Sequence, residues 1–218
     1  MNMYQLHSSL LPIDNKQKAI PNMKNIILTL LMGIVSIITY AQTESTHLKF
    51  KGIPIDGPLD EFVSKLESKG FEAGENLLNL DDRAFLYGNF AGHNNCTIIV
   101  QRTPSDIVCA VGVIFEPKDS WQLLESSYMN LKLSLLKKYG TPSSCTEEFQ
   151  TPIQPKNNKE KFSSMMADEC TYETHFDAGN GNIVLRLDRF DLGLGAILIM
   201  YTDSTNLQIY LKDTESDL

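Results

Sequence analysis

The chain has 218 residues, 19 basic against 27 acidic, and a formal charge of −8. That length holds one domain or two small ones. The acidic balance argues against a nucleic-acid partner, whose phosphates demand a basic face, and against anionic lipid surfaces. Residues 1–22 are polar and read as an upstream extension ahead of the natural start at Met23. Residues 23–41 read as a secretory signal peptide: Met23-Lys24-Asn25, an apolar run from Ile26 to Tyr40, then Thr39-Tyr40-Ala41 with cleavage after Ala41. The run is shorter than the roughly 20 residues of a membrane span. No cysteine stands at the cut to carry a lipid. Without residues 1–41 the chain loses Lys16, Lys18, Lys24 and Asp14, leaving 16 basic and 26 acidic residues and a charge of −10. The mature protein is therefore expected in the periplasm or outside the cell, with no stable membrane span.

Residues 42–118 form a first unit. His47-Leu48-Lys49-Phe50-Lys51 alternates as a strand. Pro58 opens a helix, capped by Asp56 or Gly57, in which Leu59, Phe62, Val63 and Leu66 make one apolar stripe and Gly70 is the stop. Phe71 to Leu80 reads as a strand weakened by Gly74 and Asn76. Ala84 to Phe90 is an aromatic strand, followed by two long apolar strands, Thr97 to Arg102 and Ile107 to Phe115.

Residues 119–218 form a second unit. Pro117-Lys118-Asp119 caps the longest helix, Ser120 to Tyr139, with Trp121, Leu124, Tyr128, Leu131, Leu135 and Leu136 down one side. Gly140-Thr141-Pro142 ends it. Cys145 to Gln150 starts a sheet, Thr151 to Lys161 is a polar excursion, and Lys159 to Asp168 holds a turn or two of helix. Strands follow at Thr171 to Phe176, Asn182 to Arg189 and Gly195 to Thr202, then a short helix in a tail that ends acidic. Tyr87 to Glu116 returns as Tyr172 to Tyr201 at a constant offset of 85, which brings Ile98 onto Ile183 and Ile114 onto Ile199. The expected fold class is α+β, a tandem repeat of one helix followed by a four-stranded antiparallel sheet.

Cys96, Cys109, Cys145 and Cys170 make an even count in an exported chain, which suggests two disulfides, 96–109 and 145–170. A hairpin centred near Pro104 sets Cys109 opposite residue 100 and strains the first pair; buried free thiols are the alternative. There is no C-x-x-C or close His pair to hold zinc, and no metal or other cofactor is expected. Asp177-Ala-Gly-Asn180-Gly-Asn182 has glycine where a calcium loop needs oxygen ligands, and a hairpin turn explains it better. No Gly-x-Ser-x-Gly elbow or phosphate loop is present, and no catalytic residue is assigned.

The informative strands are apolar on both faces. In Gly195 to Tyr201, Ala196, Leu198 and Met200 alternate with Ile197, Ile199 and Tyr201. A strand buried on both sides needs a cover on each. The second cover is the other unit, a partner chain or an apolar ligand.

Two successive units of a helix and four strands, from about Pro58 to Thr202, resemble the β-lactamase inhibitor protein family. The resemblance is one of topology. It implies a concave sheet that grips a partner protein, with Phe85, Tyr87, Ile197, Ile199 and Tyr201 as the compatible binding residues. The Lys137-Lys138-Tyr139-Gly140-Thr141-Pro142 helix end, and Tyr201-Thr202-Asp203 before an acidic tail, also resemble exported proteins of gut-type bacteria, which implies export and nothing about activity. The function expected is a non-enzymatic binding module using a sheet face to hold a protein or apolar ligand. The alternatives are a hydrolase with a site between the units, near His93 and His175, and a structural protein of the cell envelope.

Overall fold

The computed structural model describes residues 47–74, 81–191 and 193–215. The upstream extension, the signal peptide and the second part of the Phe71–Leu80 strand lie outside the described residues. The protein is α+β, with four helices, an eight-stranded antiparallel sheet and a two-stranded sheet among the described residues. In chain order these are β1 (Lys49–Phe50), β2 (Ile53–Pro54), α1 (Leu59–Glu67), β3 (Glu72–Ala73), β4 (Arg83–Phe90), β5 (His93–Arg102) and β6 (Val108–Ile114). Then come α2 (Trp121–Tyr139), β7 (Ser144–Phe149), α3 (Asn158–Met166), β8 (Cys170–Asp177), β9 (Gly181–Asp191), β10 (Leu194–Asp203) and α4 (Ser204–Glu215). No described helix is long and apolar enough to cross a membrane.

The large sheet runs β3-β4-β5-β6-β10-β9-β8-β7. The two halves of the chain therefore lie side by side, joined where β6 pairs with β10. The constant offset of 85 does not hold across the ladders. Thr97 pairs with Ile114, 17 positions on, whereas Asn182 pairs with Thr202, 20 positions on. Ile98 pairs with Leu86, 12 positions back, and Ile183 with Phe176, only 7 back. Hairpins of different length in the two halves break any single spacing.

One face of the sheet is closed by α1, α2, α3 and the β1–β2 hairpin. Phe62 and Leu66 of α1, and Trp121, Leu124 and Tyr128 of α2, are fully buried against it. Two aromatic groups fill the gap. Phe50 stacks on Phe90 at 5.2 Å and meets Tyr201 edge-on at 5.3 Å. Trp121 meets Tyr172 at 5.1 Å and Phe149 at 5.2 Å. Burying aromatic rings of this size supplies much of the driving force for folding. Inside this core, the Tyr128 hydroxyl and Thr174 Oγ1 are 2.7 Å apart, so neither polar group is stranded.

The helix ends differ in detail from the sequence expectation. Neither Asp56 nor Gly57 caps α1; Pro58 is the N-cap, without a side-chain bond, and Asp106 Oδ1, in the turn between β5 and β6, accepts from Leu59 N at 3.4 Å. Ser120, not residues 117–119, is the N-cap of α2. Gly70 and Gly140 end their helices at φ 89 and 83 as expected.

Asp203 and Asn206 tie the ends of the described chain together. Asp203 is fully buried and its carboxylate accepts from Leu48 N at 2.8 Å and Asn206 N at 2.9 Å, with His47 Nδ1 at 3.2 Å. Asn206 Nδ2 donates to the carbonyls of Ile55 at 2.9 Å and Val108 at 3.0 Å. These bonds anchor α4 at the end of the sheet marked by the 103–107 turn, where Asp213 Oδ2 accepts from Ser105.

Candidate open-face binding site

Side chains alternate across a sheet, so the ladders pass each residue's facing from strand to strand. Ile197, Ile199 and Tyr201 belong to the closed-face core, together with Ile183, Leu185 and Leu187 of β9 and Val111 and Val113 of β6. This corrects their assignment as binding residues: they are 1–4% exposed, beneath the helices. The last strand presents Ala196, Leu198 and Met200 to the open face instead. Phe85 and Tyr87 do face that side, so two of the five residues expected there are brought to it.

Pairing sets Phe85, Ile99, Gly112, Met200, Val184 and His175 in one row across β4 to β8. The next row is Tyr87, Thr97, Ile114, Leu198, Arg186 and Glu173. Each row is mostly apolar on β4, β5, β6 and β10 and ends in charged or titratable side chains beyond. The apolar part is not a broad exposed plate. Leu198 is 2% exposed and Phe85 and Ile114 4% each, and the free space narrows to a cleft floored at Gly112. Arg83 and Gln101 line one end of that cleft. Tyr87 is half exposed, and its ring covers Gly74 so closely that a Cβ there would meet it at 2.6 Å. That contact explains the glycine that follows β3.

The charged part is an ion-pair network. Glu173 contacts His175 Nε2, Arg186 Nη2 lies 2.7 Å from Asp188 Oδ2, and Arg186 Nε is 3.8 Å from Glu173. The hydrogen bond from His175 holds the Glu173 carboxyl below its usual range against the effect of burial. Burial pushes the Asp188 carboxyl up, more than the neighbouring arginines pull it down. His175 Nδ1 is buried without a hydrogen-bond partner.

His93 and His175 are not brought together. They sit on β5 and β8, with β6, β10 and β9 between them, so about 19 Å of sheet separates their strands. His93 instead packs edge-on against Phe115 at 4.9 Å, beside a polar hollow lined by Glu116, Lys118 and Ser127. Among the described residues no three His, Cys, Asp or Glu side chains converge as metal ligands would. Asp177 Oδ1 accepts from Gly179 N at 2.8 Å in a hairpin turn.

The expected disulfides are corrected. All four cysteines are free. Cys96 precedes Thr97, the partner of Ile114, whereas Cys109 lies in a bulge opposite Gln101 and Arg102. The two are about 17 Å apart along the ladder, far beyond disulfide reach. Cys145 pairs with Thr174 and Cys170 with Phe149, a separation of about 13 Å. Burial pushes the thiols of Cys109 and Cys170 up to about 12, and raises that of Cys96. Such thiols behave as small apolar groups. Cys145 is exposed, with Lys132 Nζ at 3.1 Å.

No family model matches the chain, and neither the curated proteins nor the solved structures contain a significant match.

Proposed function

We propose that this protein is an exported, non-enzymatic binding module that holds a protein or an apolar ligand on the open face of its large sheet. The observation that carries the reading is the cleft lined by Ile99, Ile114, Leu198 and Met200, beside which the pairing of β10 with β9 and of β9 with β8 sets the charged Arg186 and Glu173. An apolar centre with a charged rim is the common anatomy of a recognition surface. The leader at residues 23–41 supports export. We also infer a tandem duplication of a helix-plus-four-strand unit: the strand order mirrors about the β6–β10 pair, and a helix precedes each set of strands. The layout is similar to that of the β-lactamase inhibitor protein family, which supports a sheet face as the gripping element.

Light scattering of the purified protein, with and without an extract of its own envelope, tests the reading. The parent is expected to take up a defined component. Met200→Lys, on the open face, should lose that uptake, while Leu133→Lys, on the exposed side of α2, should retain it. Equal uptake by the two variants, or none by the parent, overturns the reading.

A further inference from the structure

The hollow beside His93 lies between the β4–β5 hairpin and α2, at the end of β5 away from the 103–107 turn. Its volume is about 290 Å³, the bulk space of about ten waters. The local chain turns polar groups into it. Phe90 pairs with His93 but Gly88 with Cys96, so Asn94 and Asn95 together stand opposite Asn89. A bulge of this kind takes side chains out of the ladder and re-aims them. Asn95 holds φ 56 there, a conformation that asparagine tolerates better than most residues. Asn94, Asn95 and the His93 ring line the hollow, together with Ser127 of α2. Phe115, edge-on at 4.9 Å, packs against the His93 ring.

These polar groups have no use inside the fold. Among the described residues, the His93 ring nitrogens and the side chains of Asn94, Asn95 and Ser127 make no hydrogen bond within the protein. Two other serines of α2 do: Ser126 Oγ donates to the Leu123 carbonyl and Ser134 Oγ to that of Asn130. The fixed charges at the hollow cancel, because Lys118 contacts Glu116. The remaining lining is apolar. Leu124 is 1% exposed and Ile197 2%, and the half-exposed Leu123 stands beside them. A ligand that matches this lining is uncharged, carries groups that both donate and accept, and has an apolar flank. An amide side chain donates and accepts at once, and so can meet neighbouring hydroxyls of one molecule. A sugar ring has neighbouring hydroxyls at its edge and C–H groups on its face, and it fits the volume.

We propose that this hollow binds a neutral sugar ring, with its hydroxyls on His93, Asn94, Asn95 and Ser127 and its C–H face on Leu123, Leu124 and Ile197. Of the lining residues only Glu116 is a carboxylate, whereas cleaving a glycosidic bond takes a pair. The site holds the sugar without cutting it. It is a second surface, independent of the open face of the sheet.

The test is titration of the isotope-labelled protein with glucose, galactose, mannose and N-acetylglucosamine, followed by its amide resonances. At least one of the four is expected to give saturable shifts in residues 92–95 and 123–127. Tetrahydropyran-2-methanol, a similar ring without neighbouring hydroxyls, should bind about tenfold more weakly. Ser127→Ala suits a helix, and Asn95→Gly suits the positive φ, so both should keep the parent's spectrum elsewhere. Each should weaken the sugar about fivefold, the worth of one hydrogen bond. Met200→Lys, on the open face, should bind the sugar as the parent does. No saturable shift from any of the four overturns the ligand class, and shifts confined to other residues overturn the site. Unchanged affinity in Ser127→Ala or in Asn95→Gly, or equal affinity for tetrahydropyran-2-methanol, overturns the placement of the hydroxyls. Loss of sugar binding in Met200→Lys overturns the independence of the two surfaces.

Discussion

The two faces of the large sheet are both buried at β10 and are built on different terms. On the closed face, Ile197, Ile199 and Tyr201 continue into Ile183, Leu185, Leu187, Tyr172 and Phe176, with Thr174 bonded to Tyr128 among them, and the chain's own helices and β1–β2 hairpin cover them. On the open face, Ala196, Leu198 and Met200 continue into Val184 and then stop at Arg186, Asp188, Glu173 and His175. A face covered by its own helices is apolar throughout, and a face left to water is polar throughout. The open face is neither. Its apolar half is more than solvation tolerates and its charged half is more than a core tolerates, which is the division expected of a surface that meets something outside the described fold.

Neighbouring residues on β9 give the strongest test of this contrast. Ile183 is fully buried on the closed face and Val184 is half-buried on the open one. Ile183→Ala should cost about 2–5 kcal/mol, because it leaves a cavity beneath packed aromatic rings. Val184→Ala should cost less than about 1 kcal/mol. Urea denaturation of the two variants measures both, and equal costs would mean that the open face is as closely packed as the core.

A smaller effect is expected where α4 is fastened to the end of the sheet. Asn206→Ala removes the donor to the Ile55 and Val108 carbonyls and leaves two buried acceptors unpaired. The cost should be about 1–3 kcal/mol. Limited proteolysis should then cut within residues 204–215 before the sheet unfolds, because Asn206 is what fixes this helix across the end where Arg83 and Gln101 lie. Proteolysis no faster than in the parent would mean that the remaining Asp203 bonds hold α4 unaided.

The strands and the two long-range helices were legible because their patterns are strong. The stripe from Trp121 to Leu135 and the alternation in β9 leave little choice. The facing of β10 was not legible, since both of its alternating sets are apolar and period two names two faces without saying which one the helices take. The signal that settles it lies next door. Ile183, Leu185 and Leu187 alternate with Val184, Arg186 and Asp188, so β9 declares its closed face, and pairing hands that choice to β10. Carrying it across requires the register, which shifts at the Leu194/Gly195 bulge that no local pattern announces. The disulfide expectation failed because cysteine count carries no register: with Thr97 opposite Ile114, the β5–β6 ladder sets Cys109 beside Gln101 and Arg102, far along the strand from Cys96.

The smallest effect concerns the charged half of the open face, where two carboxylates are expected to respond to pH in opposite directions. Glu173 is held below its ordinary value of 4.5, chiefly by the hydrogen bond from His175. Its contribution to stability is therefore full above 4.5 and is lost as pH falls through the lower folded value. Asp188 is raised above its ordinary value of 3.8 by burial. The folded state then holds its proton more tightly than the unfolded chain, so stability is greatest at low pH and declines as pH rises through the folded value. Both side chains are 28% exposed, and water screens them, so each effect should stay below about 1 kcal/mol. Denaturant midpoints across this range should show Glu173→Gln losing stability at neutral pH and converging on the parent in acid. Asp188→Asn should match or exceed the parent at neutral pH. If both variants lose stability alike at neutral pH, the charged half is a structural element of the sheet. Opposite signs would mean that the network contributes little net stability, and that its charges are retained on the open face for what they meet there.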